Sequence, residues 1–441
     1  MGEIFTEKLP PAVREALERL TAAGYEAHVV GGCVRDLLHS ETPGDYDITT
    51  SALPPEIEAV FAGERTVETG IKHGTVTVLL HGMPLEITTY RLESTYSDHR
   101  HPDAVSFTRS LREDLARRDF TVNAMAMAPD GHVTDLFGGR EDLANKILRC
   151  VGEPEQRFRE DALRILRALR FASVLDFTLE EETLSAAKRL ASLLCYVSAE
   201  RLREELAKLL CGKAAARVLA EGVEILQEIL PECFSAPKGI TEGMPEGLSP
   251  ETLRLFSILP PVFPLRFAAL LQKTPLMPDL SMGNPPKNAV NEDEIPQTAT
   301  SVLVRFKVNN KTKNLILQLV GNRRFHLQSD ADLLTMCGKL SPETTELLLT
   351  LQSGNAEALG EAPGEFEKGK HRLRALLAAG RCYRIRDLAI GGEDLLRLGV
   401  QKGPDVGKLL QTLLESVISE KCENTREALT AAAAVLLEGQ K

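Results

Sequence analysis

The chain has 441 residues, 43% apolar and 26% charged, which is close to globular averages and excludes wholesale disorder, collagen and coiled-coil organisation. At roughly 150 residues per domain, the length points to about three domains. The balance of 52 Lys and Arg against 63 Asp and Glu gives a net charge of −11, which argues against a protein held to nucleic acid by general phosphate attraction.

No run of about 18 uncharged apolar residues occurs, and the N-terminal MGEIFTEKLPP carries two Glu before any apolar run forms. Neither a membrane span nor a signal peptide is expected. The eight cysteines lie no closer together than Cys195 and Cys211, which excludes a CxxC zinc or redox motif. Reduced thiols and a cytoplasmic location are expected.

The N-terminal third reads as α/β. An amphipathic helix from Ala12 to Ala23 leads into an apolar strand from Ala27 to Val30. Gly31 and Gly32 follow, then a helical segment from Val34 to His39 and a short strand around Asp45 to Ile48. The runs Thr75 to Leu80 and Leu85 to Tyr90 alternate apolar and β-branched residues around His81-Gly82-Met83-Pro84, a strand, turn, strand signal. From Glu160 the apolar residues recur at helical spacing, and helical patterns with short loops continue to the end. The exception is a Pro- and Asn-rich stretch, residues 273–300, which reads as a long surface loop.

The strongest local signal is VVGGCVRD followed by Asp45-Tyr46-Asp47. Two glycines between a strand and a helix let a ligand approach the backbone and suit a phosphate, and Arg35 adds a fork of donors. Placed two apart in a strand, Asp45 and Asp47 share a face. Two carboxylates aimed at one point repel each other unless a cation lies between them, and hard oxygen ligands favour Mg²⁺. The competing reading is a turn followed by a surface DxD. The combination on a strand, turn, helix, strand layout favours phosphate and metal.

A second cluster, RRDFTVNA, places Arg117, Arg118, Asp119 and Asn123 close together, enough to hold a triphosphate and hydrogen-bond ribose hydroxyls. A third runs from Arg157 to Arg170, where Arg164, Arg167 and Arg170 recur at helical spacing and put a row of guanidinium groups on one face. Such a row faces an anion. Asp161 and Arg164, one turn apart, offer the acceptor and donors that the edge of a base requires. Two further basic stretches carry no acid. One holds Arg305, Lys307, Lys311, Lys313, Arg323 and Arg324; the other runs from Lys368 to Arg386. Each reads as a polyanion surface or as a solvated helix face.

GGCVRD with DYD, RRDFTVNA and EDALRILRALR, in this order and at these distances, resemble the motifs of bacterial class II tRNA nucleotidyltransferases, the CCA-adding enzymes, and of their poly(A) polymerase relatives. The segment TTYRLESTYSDHRHPDAVSFTRSLREDL resembles the family's flexible loop, VSAERLREELAKLL its neck motif, and GVQKGPDVGKLLQTLLESVISEKCENTREAL its C-terminal tail. The resemblance therefore runs through nearly the whole chain. It implies an α/β head of the polymerase-β nucleotidyltransferase type over residues 1–150, followed by an all-α neck (151–215), body (216–330) and tail (331–441).

By this resemblance Asp45 and Asp47 would be catalytic and hold two Mg²⁺ ions, with Glu86 a candidate third carboxylate. Gly32, Arg35 and Arg118 would bind the triphosphate. Asp161 and Arg164 would read the base, Arg167 and Arg170 would line its pocket, and Asp119 and Asn123 would lie close to the nucleotide. The implied reaction is template-independent addition of C, C and A to the tRNA 3′ end from CTP and ATP. CC-adding variants lack the flexible loop, which is full length here, so addition of the terminal A is expected. His326 and His371 are not followed by Asp, so the phosphohydrolase site of some relatives has no ligands. Expected partners are tRNA, CTP and ATP, with no membrane, no DNA, and a monomeric or homodimeric chain. Poly(A) polymerase is the enzymatic alternative, and a catalytically inactive RNA-binding protein the alternative of another class; the presence of Asp45, Asp47, Asp161 and Arg164 weighs against the latter.

Overall fold

The computed structural model describes residues 9–70, 74–93, 105–234, 247–272 and 297–438. It divides into two compact units, Met1–Ser235 and Ala236–Lys441.

The first unit opens with α1 (Pro11–Ala22), which has Pro at its first turn and buries Val13, Ala16, Leu17 and Leu20 on one stripe. Then come β1 (Ala27–Val30), α2 (Gly32–Leu38), β2 (Asp47–Thr50), α3 (Pro54–Val60), β3 (Arg65–Gly70), β4 (Thr75–Leu80) and β5 (Met83–Thr89). The seven-stranded sheet is completed by β8 (Met125–Met127) and β9 (Val133–Asp135), in the order β3-β4-β5-β2-β1-β8-β9. Only β2 and β5 run parallel among its neighbours. In β4 the expected alternation holds, with Val76, Val78 and Leu80 buried. The β4–β5 turn is tighter than expected: Leu80 pairs with Met83, leaving only His81 and Gly82 in the loop, both at positive φ (51° and 78°), the conformation that matches strand twist.

Strands β6 (Arg91–Glu93) and β7 (Val105–Phe107) pair as a separate ribbon, and α4 (Leu111–Ala116) follows. Residues 94–104, the centre of the expected flexible loop, lie outside the described residues. After α5 (Gly139–Asn145) and β10 (Ile147–Leu148), the chain becomes helical with α6 (Pro154–Glu160), α7 (Leu163–Leu175), α8 (Glu181–Arg189) and α9 (Ala199–Leu210). One exception to the all-helical expectation is β11 (Thr178–Leu179), which pairs in parallel with β10. The rings of Phe120 and Phe171 meet edge to face at 5.6 Å, joining the sheet end to α7.

The expected body does not form a unit. Helices Ala215–Glu221, Val223–Ile229 and Pro231–Phe234 belong with the first compact unit, because Val218, Leu219, Ile225 and Leu226 are buried there. The described residues of the second unit are helical, from Pro250–Ile258 to Arg426–Glu438. The long loop ends earlier than expected: Gln297–Arg305 is a helix, and residues 273–296 lie outside the described residues. Among the described residues no helix is long and apolar enough to cross a membrane, and no two cysteines form a disulfide.

Candidate active site

The end of β1 sets the site. Val30 pairs with Asp47 on β2, and Asp47 pairs with Glu86 on β5, so the two carboxylates stand side by side in register. Asp45 is not in the strand as expected. The β1–β2 ladder stops at the Val30–Asp47 pair because β1 turns into Gly31, leaving Asp45 no ladder partner. The shared-face argument therefore fails, yet the two aspartates are brought together. Asp47 reaches solvent, but the protein packed around it raises its pKa, and Asp45 and Glu86 raise it further against a partial offset from Arg118. Among the described residues no three His, Cys, Asp or Glu are grouped to hold a metal ion, so Glu86 does not complete a ready-made three-ligand site.

Gly31, at φ 83°, carries the backbone constraint at the strand end. A Cβ there would stand 3.2 Å from Arg118 Nη1, so the absent side chain leaves room for that guanidinium. Gly32 packs beside Arg35 instead. Arg118 donates from Nη2 to Asp114 Oδ2 at 3.3 Å, while its buried Nε has no partner. Asp114 is fully buried. Burial pushes its pKa up, but Arg117 and Arg118 outweigh that and hold it below the usual value. It also accepts from Thr49 Oγ1 at 3.2 Å, tying α4 to the aspartate strand.

Arg35 is already engaged. Its Nε donates to Asp36 Oδ1 at 2.9 Å and its Nη1 to Asn123 Oδ1 at 2.6 Å. Asn123 Nδ2 in turn donates to Asp119 Oδ1 at 3.3 Å, and Asp119 is held by Arg167. Asp119 and Asn123 are 9% and 6% exposed, so both serve as links between the glycine turn and α7 rather than as open ligands.

The neck departs most from expectation. Asp161 and Arg164 do not lie on one continuous helix: α6 ends at Glu160, Asp161 is extended (φ −133°, ψ 104°), and α7 begins at Leu163. The break is local chemistry, since Asp161 Oδ1 accepts from the Leu163 backbone N–H at 3.0 Å and competes with the helical pattern. Asp161 Oδ2 accepts from Arg201 Nη2 at 2.9 Å. Arg164 is 8% exposed; it donates to Glu160 Oε2 at 2.7 Å and to the Arg117 carbonyl at 2.9 Å. Arg170 donates to Glu205 Oε2 at 2.8 Å, and its guanidinium stacks 3.4 Å over the Phe171 ring. The cationic row therefore has its anions inside the protein, on Glu160, Asp119 and Glu205. Arg201, Glu205 and Asp114 were not singled out by the sequence. Arg201 and Glu205 lie within the neck-like VSAERLREELAKLL, one helical turn apart.

The second basic stretch is largely met by acids: Lys370 pairs with Glu367 one turn earlier at 2.7 Å, and three cations find distant partners, Arg372 Nε donating to Asp330 at 2.6 Å, Arg374 pairing with Glu346, and Arg381 with Glu420 at 2.7 Å. It is a paired helix surface. In the first stretch, Lys311 and Lys313 form no ion pair among the described residues.

Three family models match the chain: the Poly A polymerase head domain over residues 27–149, the RNA and SrmB- binding site of polymerase A over residues 176–236, and tRNA nucleotidyltransferase domain 2 over residues 292–433. The chain is 38% identical over 429 residues to the CCA-adding enzyme of Levilactobacillus brevis, covering 95% of this chain and 96% of that one. It is 38% identical over 423 residues to the CCA-adding enzyme of Enterococcus faecalis, covering 95% and 93%. The crystal structure of the Bacillus stearothermophilus CCA-adding enzyme in complex with CTP is similar at a TM-score of 0.75 and 31% identity, over 98% of this chain and 99% of that one.

Proposed function

The chain belongs to the CCA-adding enzyme family of tRNA nucleotidyltransferases, and on that footing we propose that it adds C, C and A in turn to the 3′ end of tRNA, using CTP and ATP and releasing pyrophosphate. The observation that carries the reading is the strand end where Asp45 and Glu86 each repel the Asp47 carboxylate beside Arg118, whose Nε is a buried donor without a partner. Mutual repulsion suits a divalent cation, and an unused guanidinium donor suits a phosphate oxygen.

The carboxylate set fits Mg²⁺, which is held by one or two carboxylates plus substrate phosphates rather than by an all-protein cage. Asp45 and Asp47 would hold two ions, which when bound lower the pKa of the primer 3′-hydroxyl and neutralise charge on the departing pyrophosphate. Arg118, spaced by Gly31, orients the triphosphate. Arg35 fixes Asn123 and through it Asp119, so its part is to hold the wall of the site. Asp161 accepts from the amino group of C or A, and Arg164 donates to the ring nitrogen beside it. Neither residue moves a proton; both select. Because the selecting groups are side chains, no nucleic-acid template is required.

The test is the product formed on a tRNA ending at the discriminator base. With CTP alone two residues are added, and with both nucleotides the chain stops after CCA. A long A tract from ATP alone would identify a poly(A) polymerase, and no incorporation with any nucleotide an inactive RNA-binding protein.

A further inference from the structure

Asp161 is fixed on both oxygens. The Leu163 backbone N–H takes Oδ1 at 3.0 Å, and Arg201 Nη2, from α9, takes Oδ2 at 2.9 Å. Asp161 sits in the break between α6 and α7, where its backbone N–H donates to the Arg157 carbonyl at 3.4 Å and its carbonyl accepts from the Arg164 N–H at 2.9 Å; the orientation of its carboxylate rests on the two side-chain acceptor contacts. Both side chains are partly buried, 28% exposed for Arg201 and 19% for Asp161, so the pair is screened less than a surface ion pair.

The second observation is an unused donor. Arg201 Nη1 is buried and has no hydrogen-bond partner. A buried donor left unpaired opposes folding, and a side chain of the same reach without charge would avoid that cost. Elsewhere in the same shell the cations are matched: Arg164 by Glu160, Arg167 by Asp119, and Arg170 by Glu205. Glu205 lies one turn beyond Arg201 on α9, so this helix presents a donor to Asp161 and an acceptor to Arg170 from one face.

Resting on the base-reading role given to Asp161 above, we propose that Arg201 is a specificity-determining positioning residue. It keeps the Asp161 carboxylate aimed as an acceptor at the amino position of the incoming base, and its spare Nη1 is kept for an acceptor that arrives with the nucleotide. A carboxylate in this state accepts from the amino group of C and A and repels the carbonyl that U and G carry at the same place. Without Arg201 the carboxylate loses one of its two donors and is free to rotate away from that position. Rejection of U and G therefore depends on a residue that does not itself read the base.

The experiment is single-nucleotide incorporation onto tRNA by the full chain, with CTP, ATP, UTP and GTP in turn, for wild type, Arg201→Gln, Arg201→Met, Arg201→Lys and Asp161→Asn. Thermal unfolding is measured alongside. Arg201→Met keeps the stem and removes the unpaired donor, so it folds even where Gln is not tolerated. The ratio of kcat/KM for CTP over UTP is expected to fall by about tenfold or more in Arg201→Gln and Arg201→Met, with Arg201→Lys lying between them and wild type. A general structural weakening lowers all four rates together and leaves the ratio in place. A folded Arg201→Met with the wild-type ratio, beside an Asp161→Asn whose ratio has changed, overturns the role of Arg201 alone. An unchanged ratio in Asp161→Asn overturns the base-reading role on which it rests.

Discussion

The Arg167 guanidinium grips a single oxygen of Asp119, with Nη2 at 2.6 Å and Nε at 3.0 Å from Oδ2, joining the start of the sheet-end turn to the middle of α7 across 48 residues of sequence. Burial alone would raise the Asp119 pKa. The Arg167 charge and hydrogen bond, then Arg164 and Asn123, reverse this and hold it at about 2.

An acid whose folded pKa lies below its unfolded value of about 3.9 contributes stability above that value and loses it as pH falls toward 2. Asp119→Asn is therefore expected to lower unfolding free energy by about 2 to 3 kcal/mol at pH 7. The difference from wild type should shrink near pH 3. Urea unfolding of both proteins at the two pH values checks this; an equal gap at both would show that the loss is not electrostatic.

The metal carboxylates behave in the opposite sense. Because the surrounding protein, Asp45 and Glu86 raise the Asp47 pKa, protons and Mg²⁺ compete there above the ordinary Asp range. Incorporation should fall on acidification, and the fall should move to lower pH as Mg²⁺ is increased. Asp45→Ala or Asp47→Ala is expected to abolish incorporation while leaving the fold and tRNA binding in place. Near wild-type turnover by either variant would remove the assignment.

Asp161→Asn replaces an acceptor by a group that can also donate. It is expected to lose efficiency with CTP and ATP and to gain measurable UTP or GTP incorporation. Retention of the wild-type preference would place base reading elsewhere in the pocket.

The two basic stretches should differ in their response to salt. Replacing Lys311, Lys313, Arg323 and Arg324 by Gln is expected to weaken tRNA binding and flatten its salt dependence by roughly 0.7 to 0.9 log units for each phosphate that is no longer neutralised. The same change at Lys370, Arg372 and Arg374, whose charges are met by Glu367, Asp330 and Glu346, should leave the slope nearly unchanged. Equal slopes in the two variants would contradict the distinction.

Thiol reactivity offers a direct check on burial near the site. Burial pushes the thiols of Cys33 and Cys150 up to about 11 and about 12, whereas Cys195 is exposed. Since the thiolate is the reactive form, brief alkylation of the native protein at neutral pH should label Cys195 and spare Cys33 and Cys150, as read by peptide mass spectrometry. Labelling of Cys33 would mean that the core beneath Asp47 opens readily.

Most of what identifies this protein is local in its sequence. Alternation in Thr75 to Leu80, the apolar stripe of the first helix and the paired glycines after Val30 specify strand, helix and turn through interactions between near neighbours, so their placement could be read from the chain. The same holds for the residue types of GGCVRD, DYD, RRD and EDALR, which carry donors and carboxylates whatever their surroundings. Charge pairing is not local. The guanidinium row of α7 reads as open because its partners Asp119 and Glu205 stand 48 and 35 residues from Arg167 and Arg170, and the basic run after Lys368 reads as open because Asp330, Glu346 and Glu420 come from other parts of the chain. The break at Asp161 is hidden for a related reason: periodicity continues through it, while a side-chain acceptor and Arg201 from α9 hold it extended. The sequence alone supplied the residue types proposed for the site, apart from Asp114, Arg201 and Glu205, because short-range periodicity and residue chemistry suffice for that. Tertiary structure decided which of those groups remain unpaired for a ligand, because a charge is neutralised by whatever folding brings within hydrogen-bond reach.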